Sequence, residues 1–580
     1  MTDVEDQPWW RTAVVYQIYP RSFADSNGDG IGDLAGITSR LDYLAALGVD
    51  VVWLSPIYRS PQDDNGYDIS DYRDVDPTFG TLADLDELIA GLHSRGMKLV
   101  MDLVVNHTSD EHPWFTESRS ATTNSKRDWY IWRPQGTDGL PPNNWGSAFS
   151  GPAWELDETT GEWYLHLFSR KQPDLNWENP AVREAVQEMM TWWLDRGVDG
   201  FRMDVINFIS KADGLPDGDV PAGALFGDGA PHYASGPRIH EYLHEMHSRV
   251  FAARPQQVLT IGEMPGVSVA QARLFTDPAR AELDMVFQFE HVQLDRGLTK
   301  WDTQALDLRV LKASLRRWQV AMAEVGWNSL YWNNHDQPRA VSRFGDDSPA
   351  HRVRSATALA TVLHLHRGTP FVYQGEELGM TNMPFASLAD YRDLESLNHF
   401  AEIVGLGAEP DVALATLAPA SRDNARTPMQ WDAGEHAGFS TATPWIAVHP
   451  NHSEVNVAAQ LDDPNSVWHH YRQLIALRHN DPVVMHGTFA MLAADHEQLY
   501  AFTRTTDDDL LLVMVNLSSD PLPLAGTELA DRAGELVLGN YPDTGPTQVL
   551  RPWEALVLRV QGRRSAAEAA VAGGVVPQRP

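Results

Sequence analysis

Residues 98–107, which read KLVMDLVVNH, and residues 199–206, which read DGFRMDVI, decide the fold of this chain. Each is a short apolar run of strand length that leads into polar side chains. Runs of this kind, separated by longer helical patterns, are typical of parallel strands that are covered by helices. The two segments therefore predict an α/β architecture with chemistry at the ends of its strands.

Six further runs repeat this pattern, at residues 13–20, 49–57, 258–264, 285–290, 328–334 and 369–375. Helical stretches lie between the runs, and several end in the glycine that helix C-termini favour, at residues 82–96, 180–197 and 352–368. Eight parallel strands that alternate with helices close into a barrel. We therefore predict an α/β fold of the (β/α)8 TIM barrel class.

Three parts of the chain depart from the barrel pattern. Residues 107–176, rich in Trp, Pro, Gly and Asn, predict a subdomain inserted after the third strand. A polar stretch at residues 376–464 predicts a second insertion, after the eighth strand. Alternating strands at residues 483–563 predict a C-terminal antiparallel β domain, and the low-complexity residues 564–580 predict a disordered tail. The barrel itself then comprises residues 1–106 and 177–482.

Composition excludes several classes of function and partner. The chain has 45 Lys and Arg against 79 Asp and Glu, a net charge of −34 that repels nucleic acids and anionic lipids. It has no cysteine, which excludes disulfides, thiolate metal sites and a cysteine nucleophile, and which favours a reducing compartment. The N-terminal residues MTDVEDQPWW lack a signal-peptide pattern, and no apolar run is long enough to span a membrane. We predict a cytoplasmic protein without nucleic-acid or membrane partners.

Three carboxylates stand at the C-terminal ends of predicted strands: Asp204, Glu263 and Asp336. In a TIM barrel these ends form one face, which carries the active site. Glycoside hydrolysis needs one protonated carboxyl that donates to the leaving oxygen and one ionised carboxylate. The three residues together therefore predict a glycosidase site, although a single carboxylate at a strand end is more often solvated or caps a helix.

Neighbouring side chains support this interpretation. Arg202 lies two residues before Asp204, so strand alternation places both on one side, where the guanidinium keeps the carboxylate ionised. His107 and His335 can donate hydrogen bonds to sugar hydroxyls. Either histidine alone is more often a structural side chain, and spacing does not exclude that here.

The motifs DLVVNH, QPDLNW, GFRMDV, TIGEM and NNHDQPR occur in the order of the signature regions of the α-amylase superfamily, glycoside hydrolase family 13. With NGYDISDY and RDNARTPMQWD, the chain resembles the oligo-1,6-glucosidase and α-glucosidase branch of that family. The resemblance implies a retaining double displacement without an organic cofactor. Asp204 then resembles the nucleophile, Glu263 the general acid/base and Asp336 the transition-state stabiliser.

The same resemblance implies a pocket for the terminal, non-reducing glucose of a short oligosaccharide or disaccharide. The residues that match it are Asp64, Tyr67, His107, Arg202, His335 and Arg426, with Arg422 as a second arginine candidate, and Phe149, Phe168 and Gln172 at the entrance. A mostly closed pocket implies exo action. Val205, directly after the nucleophile, resembles the residue that favours α-1,6 over α-1,4 linkages, because a branched side chain there shapes the leaving sugar's space.

Residues 25–33, DSNGDGIGD, place oxygen-bearing side chains at alternate positions with glycines between them, as a loop for a hard cation requires. Gly36 stands where an EF-hand has its bidentate Glu, so the loop is not an EF-hand. The resemblance implies one structural Ca²⁺ held by Asp25, Asn27, Asp29, the carbonyl of Ile31, and Asp33. A plain Asn/Asp/Gly turn is the alternative.

Other functions remain as alternatives. The same glucosyl-enzyme could serve a glucosyl transferase or a sucrose isomerase that makes trehalulose or isomaltulose. A non-enzymatic transporter subunit of the same superfamily is another alternative. Such proteins lack the catalytic carboxylates or have a membrane-spanning segment, and this sequence shows neither departure. Residues 240–244, HEYLH, match the zinc-protease motif HExxH, but no third ligand is evident.

Overall fold

The computed structural model describes residues 8–136, 139–530, 533–545 and 548–560. The predicted disordered tail at residues 564–580 lies outside the described residues.

The eight predicted strands are all present. They are β1 (Val15–Ile18), β2 (Val51–Leu54), β3 (Lys98–Val104), β4 (Gly200–Asp204), β5 (Leu259–Glu263), β6 (Met285–Phe287), β7 (Ser329–Leu330) and β8 (Thr369–Tyr373). Neighbours in the sheet are parallel, β8 lies between β1 and β7, and Val286 in β6 bridges Asn328 beside β7. The sheet therefore closes, and the predicted barrel is confirmed.

One main helix follows each strand. The helices are α1 (Leu41–Leu47), α2 (Leu82–Ser94), α3 (Pro180–Arg196), α4 (Ile239–Met246), α5 (Val269–Phe275), α6 (Leu308–Glu324), α7 (Arg352–His364) and α8 (Val467–Asn480). Local sequence sets their ends: Thr81 and Asp84 form a capping box at the start of α2, and Gly197 ends α3 with φ 116°.

Along the barrel axis, the inward-facing side chains form an apolar half and a polar half. Apolar side chains such as Val15, Leu259 and Ile261 fill one half. Two residues further along a strand, the inward positions become polar, as with Gln17 after Val15 and Glu263 after Ile261. The barrel is therefore a packed core at its N-terminal end and a polar site at its C-terminal end.

The subdomain predicted after the third strand is a three-stranded antiparallel sheet of Trp132–Pro134, Glu162–Leu165 and Trp154–Asp157. The second insertion, expected as a polar stretch, contains helices Leu394–Gly405, Pro410–Ala420, Asp423–Arg426 and Val457–Asp462. The Asp393 side chain caps the first of these helices, and Pro410 begins the second. The exact domain boundaries remain predictions.

The C-terminal part is an antiparallel sheet, as predicted. Its strands are β9 (Thr488–Leu492), β10 (Leu499–Thr505), β11 (Leu510–Asn516), β12 (Glu535–Gly539) and β13 (Ala555–Val560), in the order β9-β10-β11-β13-β12. Within the described ranges, no helix combines the length and apolar character that crossing a lipid bilayer demands.

Candidate active site

Arg202 on β4 joins the carboxylates at the centre of the site. Its Nη1 lies 2.6 Å from Asp204 Oδ1 and 2.8 Å from Asp102 Oδ1, and its Nη2 lies 2.6 Å from Glu263 Oε1. Trp53 and Tyr67 donate to the other oxygen of Asp102 at 3.1 and 3.0 Å. One buried guanidinium therefore holds Asp204 and Glu263 side by side, and Asp102 anchors that guanidinium from behind.

Burial shifts the pKa of both central carboxyl groups, those of Asp204 and Glu263. It raises the pKa of Asp204 to about 7 and that of Glu263 to about 8, although the positive charge of Arg202 opposes both shifts. Both carboxyl groups therefore titrate near neutral pH, where a protonated acid and an ionised carboxylate can coexist in one site.

Asp336 has the opposite electrostatic environment. Its Oδ1 lies 2.9 Å from Arg426 Nη2 and 3.3 Å from Arg422 Nη1, and its Oδ2 lies 3.2 Å from His335 Nε2. Burial raises the pKa of Asp336, but His335 and the two guanidinium groups outweigh burial and hold this pKa well below its usual range. Asp336 is therefore a fixed negative charge.

His335 is oriented by its neighbours on both sides. Its Nδ1 lies 2.8 Å from Gln17 Nε2, and its ring stacks on Tyr67 with the centroids 5.1 Å apart. Burial lowers the pKa of His335 to about 3, so the imidazole is neutral. Since Nδ1 accepts from the Gln17 amide, the ring proton resides on Nε2, on the side of Asp336.

Asp64 and Arg422 form the far end of the site. Arg422 Nη2 lies 3.1 Å from Asp64 Oδ1, and Gln172 Nε2 donates to Asp64 Oδ2 at 3.0 Å. Arg422 also pairs with Asp393 at 2.6 Å, which fixes its guanidinium from the side of the second insertion. This end therefore presents a buried carboxylate and a guanidinium in a fixed arrangement.

Aromatic rings from the inserted subdomain cover this end. Phe149 and Phe168 meet edge to face at 5.5 Å, and Phe168 lies 5.2 Å from the ring of His107. The guanidinium of Arg422 lies 4.9 Å from the centre of the Phe149 ring. Burial lowers the pKa of His107 to about 4, so this imidazole is also neutral. Flat apolar rings beside fixed polar groups suit a ligand with the two-sided character of a sugar.

These groups surround a cavity of about 210 Å³. Of the residues predicted from the sequence, the cavity wall contains Asp64, Tyr67, His107, Phe149, Phe168, Asp204, Val205, Glu263, Asp336 and Arg422. Gln172, Arg202, His335 and Arg426 lie behind the wall and hold these residues. Arg422, the second arginine candidate from the sequence, lines the cavity, whereas Arg426 lies behind the wall and supports Asp336.

Several residues at the site escaped the sequence analysis. The cavity wall also contains Ala148, Pro265, Phe289, Arg296, Lys300, Gln337 and Glu395. Most of them lie on loops, and no sequence pattern predicts where loop residues come to lie. Asp102 could have been found from the sequence, because a charged residue within the apolar run KLVMDLVV must have a buried partner.

The predicted calcium loop lies between β1 and α1. Asp25 Oδ1 accepts from the N–H groups of Asn27 and Gly28, Asn27 Oδ1 from that of Asp29, and Asp29 Oδ1 from that of Ile31. Asp33 caps a short helix through Gly36 N–H and also accepts from Ser26. The oxygen donors fit a hard cation, but in the described part of the chain no three Asp, Glu, His or Cys side chains converge as metal ligands.

The HExxH segment lies on α4, one of the helices that surround the strands of the barrel. His240 Nδ1 lies 2.8 Å from Glu282 Oε2, and His244 Nδ1 lies 2.9 Å from the Arg280 carbonyl oxygen. Glu241 pairs with Arg238 at 2.6 Å. These contacts engage both histidines and the glutamate in packing α4, and they give no support to a zinc protease.

Residues 17–487 match the family model described as "Alpha amylase, catalytic domain". The chain belongs to the α-amylase family. It is therefore a glycoside hydrolase. Among its relatives, an oligo-1,6-glucosidase of Parageobacillus thermoglucosidasius is 55% identical over 96% of this chain and 100% of the relative. An α-glucosidase of Pediococcus pentosaceus is 54% identical over 95% of this chain and 99% of that protein.

A crystal structure of the trehalulose synthase MutB from Pseudomonas mesoacidophila MX-45 has the same fold. Its TM-score is 0.90 at 44% identity, over 96% of this chain and 100% of that one. The resemblance to the α-amylase family predicted from the sequence is thus confirmed.

Proposed function

We propose that this chain is a retaining, exo-acting α-glucosidase that removes terminal, non-reducing glucose from short α-1,6- and α-1,4-linked oligosaccharides or disaccharides. The pairing of Asp204 and Glu263 through the guanidinium of Arg202 carries the proposal. Retaining glycosidases use two carboxyl groups only about 5–5.5 Å apart, and one shared guanidinium keeps two carboxyl groups close. The oligo-1,6-glucosidase and α-glucosidase relatives support the substrate class.

In the first half of the reaction, Asp204 attacks the anomeric carbon of the terminal glucose. The bond from this carbon to the glycosidic oxygen breaks, and Glu263 gives its proton to the departing oxygen. The product is a glucosyl ester on Asp204. In the second half, Glu263 takes a proton from water, the water oxygen attacks the anomeric carbon, and the Asp204 carboxylate leaves. One water is consumed and both carboxyl groups return to their initial states.

The acidities of the two groups support these roles. Arg202 stabilises the ionised nucleophile, and burial raises the pKa of Glu263, which favours the protonated form that the acid needs. Asp336, always negative, opposes the positive charge that develops on the sugar ring in the transition state. His335 lies behind the cavity wall with its Nε2–H on the side of Asp336, and it helps to hold that carboxylate in place.

The closed end of the cavity supports exo action. Asp64 and Arg422 can bind hydroxyl groups of the terminal glucose, and Phe149 covers the guanidinium. A chain that continued beyond this glucose would meet the Phe149 ring. The site therefore accepts the end of a chain and excludes its interior.

A panel of disaccharides tests this proposal. Glucose release from isomaltose and maltose supports it, and no release from either substrate contradicts it. Sucrose in the same panel tests the second candidate, a sucrose isomerase, which the trehalulose synthase structure favours. Trehalulose or isomaltulose as the main product from sucrose would replace hydrolysis with isomerisation.

For the loop at residues 25–33 we propose one structural Ca²⁺, bound by oxygen atoms of Asp25, Asn27, Asp29, Ile31 and Asp33. Three carboxylates, an amide and a carbonyl are the ligand types that Ca²⁺ prefers. The loop packs on the second insertion, where Ser440 donates to Asp25 at 2.5 Å and Trp445 N–H donates to the Gly30 carbonyl at 3.0 Å. A cation here would stabilise that contact and take no part in the reaction.

We further propose a cytoplasmic location, supported by the lack of cysteine.

A further inference from the structure

Two hydrogen bonds join the inserted subdomain to the second insertion beside the cavity. Asn398 Nδ2 donates to the carbonyl oxygen of Phe149 at 3.0 Å, and Ser150 Oγ donates to Glu402 Oε2 at 2.9 Å. Asn398 and Glu402 are four residues apart on helix Leu394–Gly405, so they lie on one face. Glu395, one turn earlier on that face, contacts Arg422 at 3.4 Å. This helix face, Glu395–Asn398–Glu402, therefore touches both the far end of the cavity and the loop above it.

The loop that these bonds hold is a tight turn, residues 147–151. Ser147 N–H donates to the Gly151 carbonyl at 2.9 Å, and Ser150 and Gly151 both have left-handed backbones, with φ 70° and 79°. Ser150 is a residue that rarely adopts this conformation, so the turn needs outside support to keep it. Phe149 at its tip is 6% exposed. The position of its ring over Arg422 thus depends on what holds the turn.

We propose that Asn398 and Glu402 are positioning residues that hold Phe149 over the Asp64–Arg422 end of the cavity. By fixing the turn, they keep this end closed and set how tightly the site binds a terminal glucose. They do not touch the reacting atoms, so they act on binding and leave the chemical steps alone. The structural part of this inference stands by itself, whereas its effect on substrate rests on the proposed α-glucosidase function.

Hydrogen exchange of the resting protein tests the structural part without any substrate. In Asn398→Ala and Ser150→Ala, amides of residues 147–151 should exchange about ten-fold faster than in the wild type, because each variant lacks one supporting hydrogen bond. Glu402→Gln keeps an acceptor for Ser150 and should exchange like the wild type. Glu409→Ala, at an exposed carboxylate of the same insertion, is the matched control. Unchanged exchange in both alanine variants would overturn the inference.

Kinetics with an aryl α-glucoside test the effect on binding. In Asn398→Ala and Glu402→Ala, KM should rise about five-fold while kcat stays within about two-fold and the pH profile is unchanged. Glu402→Gln should restore the wild-type KM. A loss of kcat at unchanged KM, or a failure of the glutamine variant to restore KM, would overturn the inference. A wild-type protein that cleaves no glucoside would refute the proposed function. The exchange experiment would still decide whether Asn398 and Glu402 hold the turn at residues 147–151.

Discussion

The backbone N–H of Val205 donates to Glu263 Oε2 at 3.0 Å, and it does so from a left-handed backbone with φ 34°. A β-branched residue adopts this conformation only where the surrounding structure imposes it. The Val205 side chain, meanwhile, forms part of the cavity wall. The residue after the proposed nucleophile thus orients the proposed acid and also lines the cavity, where we propose that it bounds the space for the leaving sugar.

We predict that Val205→Ala lowers the ratio of kcat/KM for isomaltose to kcat/KM for maltose. The smaller side chain leaves more room beside the leaving sugar, and such differences in pocket shape change specificity by about 1–3 kcal/mol. Val205→Thr keeps the branched shape but adds a hydroxyl, and we expect it to lower the ratio as well. An unchanged ratio in both variants would show that Val205 has no part in linkage preference.

The pH dependence of kcat/KM should have an alkaline limb that belongs to Glu263. The acid works only when protonated, and burial raises its pKa to about 8, so activity falls as the pH rises through that value. Glu263→Gln should remove this limb. The variant should lose about 10²–10⁴-fold in kcat with isomaltose, and much less in the glucosylation step with a nitrophenyl glucoside, whose leaving group needs no proton. Equal losses on both substrates would contradict the acid role.

Asp102→Asn should lower kcat about ten-fold with little change in KM, since Asp102 anchors Arg202 from behind. The negative charge of Asp102 also raises the pKa of Asp204, although burial is the larger cause of that shift. Without this charge, Asp204 stays ionised to lower pH, and the acid limb of kcat/KM should move toward lower pH.

A matched control for Asp102 is Asp284→Asn. Asp284 is a carboxylate at the other end of the barrel, where it accepts from the backbone N–H and the hydroxyl of Thr260. This variant should leave the acid limb where it is. An acid limb that moves equally in both variants, or in neither, would argue against the role assigned to Asp102.

The sequence alone predicted the barrel and the place of its site because both follow from local patterns. Eight apolar runs identify the strands, and alternation places Arg202 beside Asp204. The fold puts Asp204 and Glu263 on adjacent strands β4 and β5, so their meeting could be expected. Asp336 comes after β7, on a loop, and its position depends on Arg422 and Arg426 from the distant second insertion.

What the sequence could not predict comes mainly from those insertions. Lys300, on the loop between β6 and α6, forms an ion pair with Glu395 on helix Leu394–Gly405, and no periodicity links residues so far apart in the chain. Helix Leu394–Gly405 lies within the predicted polar stretch, although Leu394, Leu397 and Val404 recur at helical spacing and are a usable signal for a helix. Its polar residues Asn398 and Glu402 hydrogen-bond to the inserted subdomain, and no local pattern predicts that contact.

Prolonged chelation should lower the melting temperature if the loop at residues 25–33 holds Ca²⁺, since a cation that binds only the folded protein stabilises it. Added Ca²⁺ should restore the melting temperature, and Asp29→Asn should reduce both effects. Differential scanning calorimetry at fixed pH measures the change. A melting temperature that chelation leaves untouched would leave the loop as a turn closed by its own hydrogen bonds.

In the proposed double displacement, Asp204 is the nucleophile and Glu263 is the acid and base. Proton NMR of the hydrolysis of an aryl α-glucoside shows which anomer of glucose is released first, because all the glucose comes from the cleaved residue. We predict α-glucose at early times, before mutarotation, and no product from Asp204→Asn with its fold intact by circular dichroism. β-Glucose as the first product, or full activity in Asp204→Asn, would contradict the account.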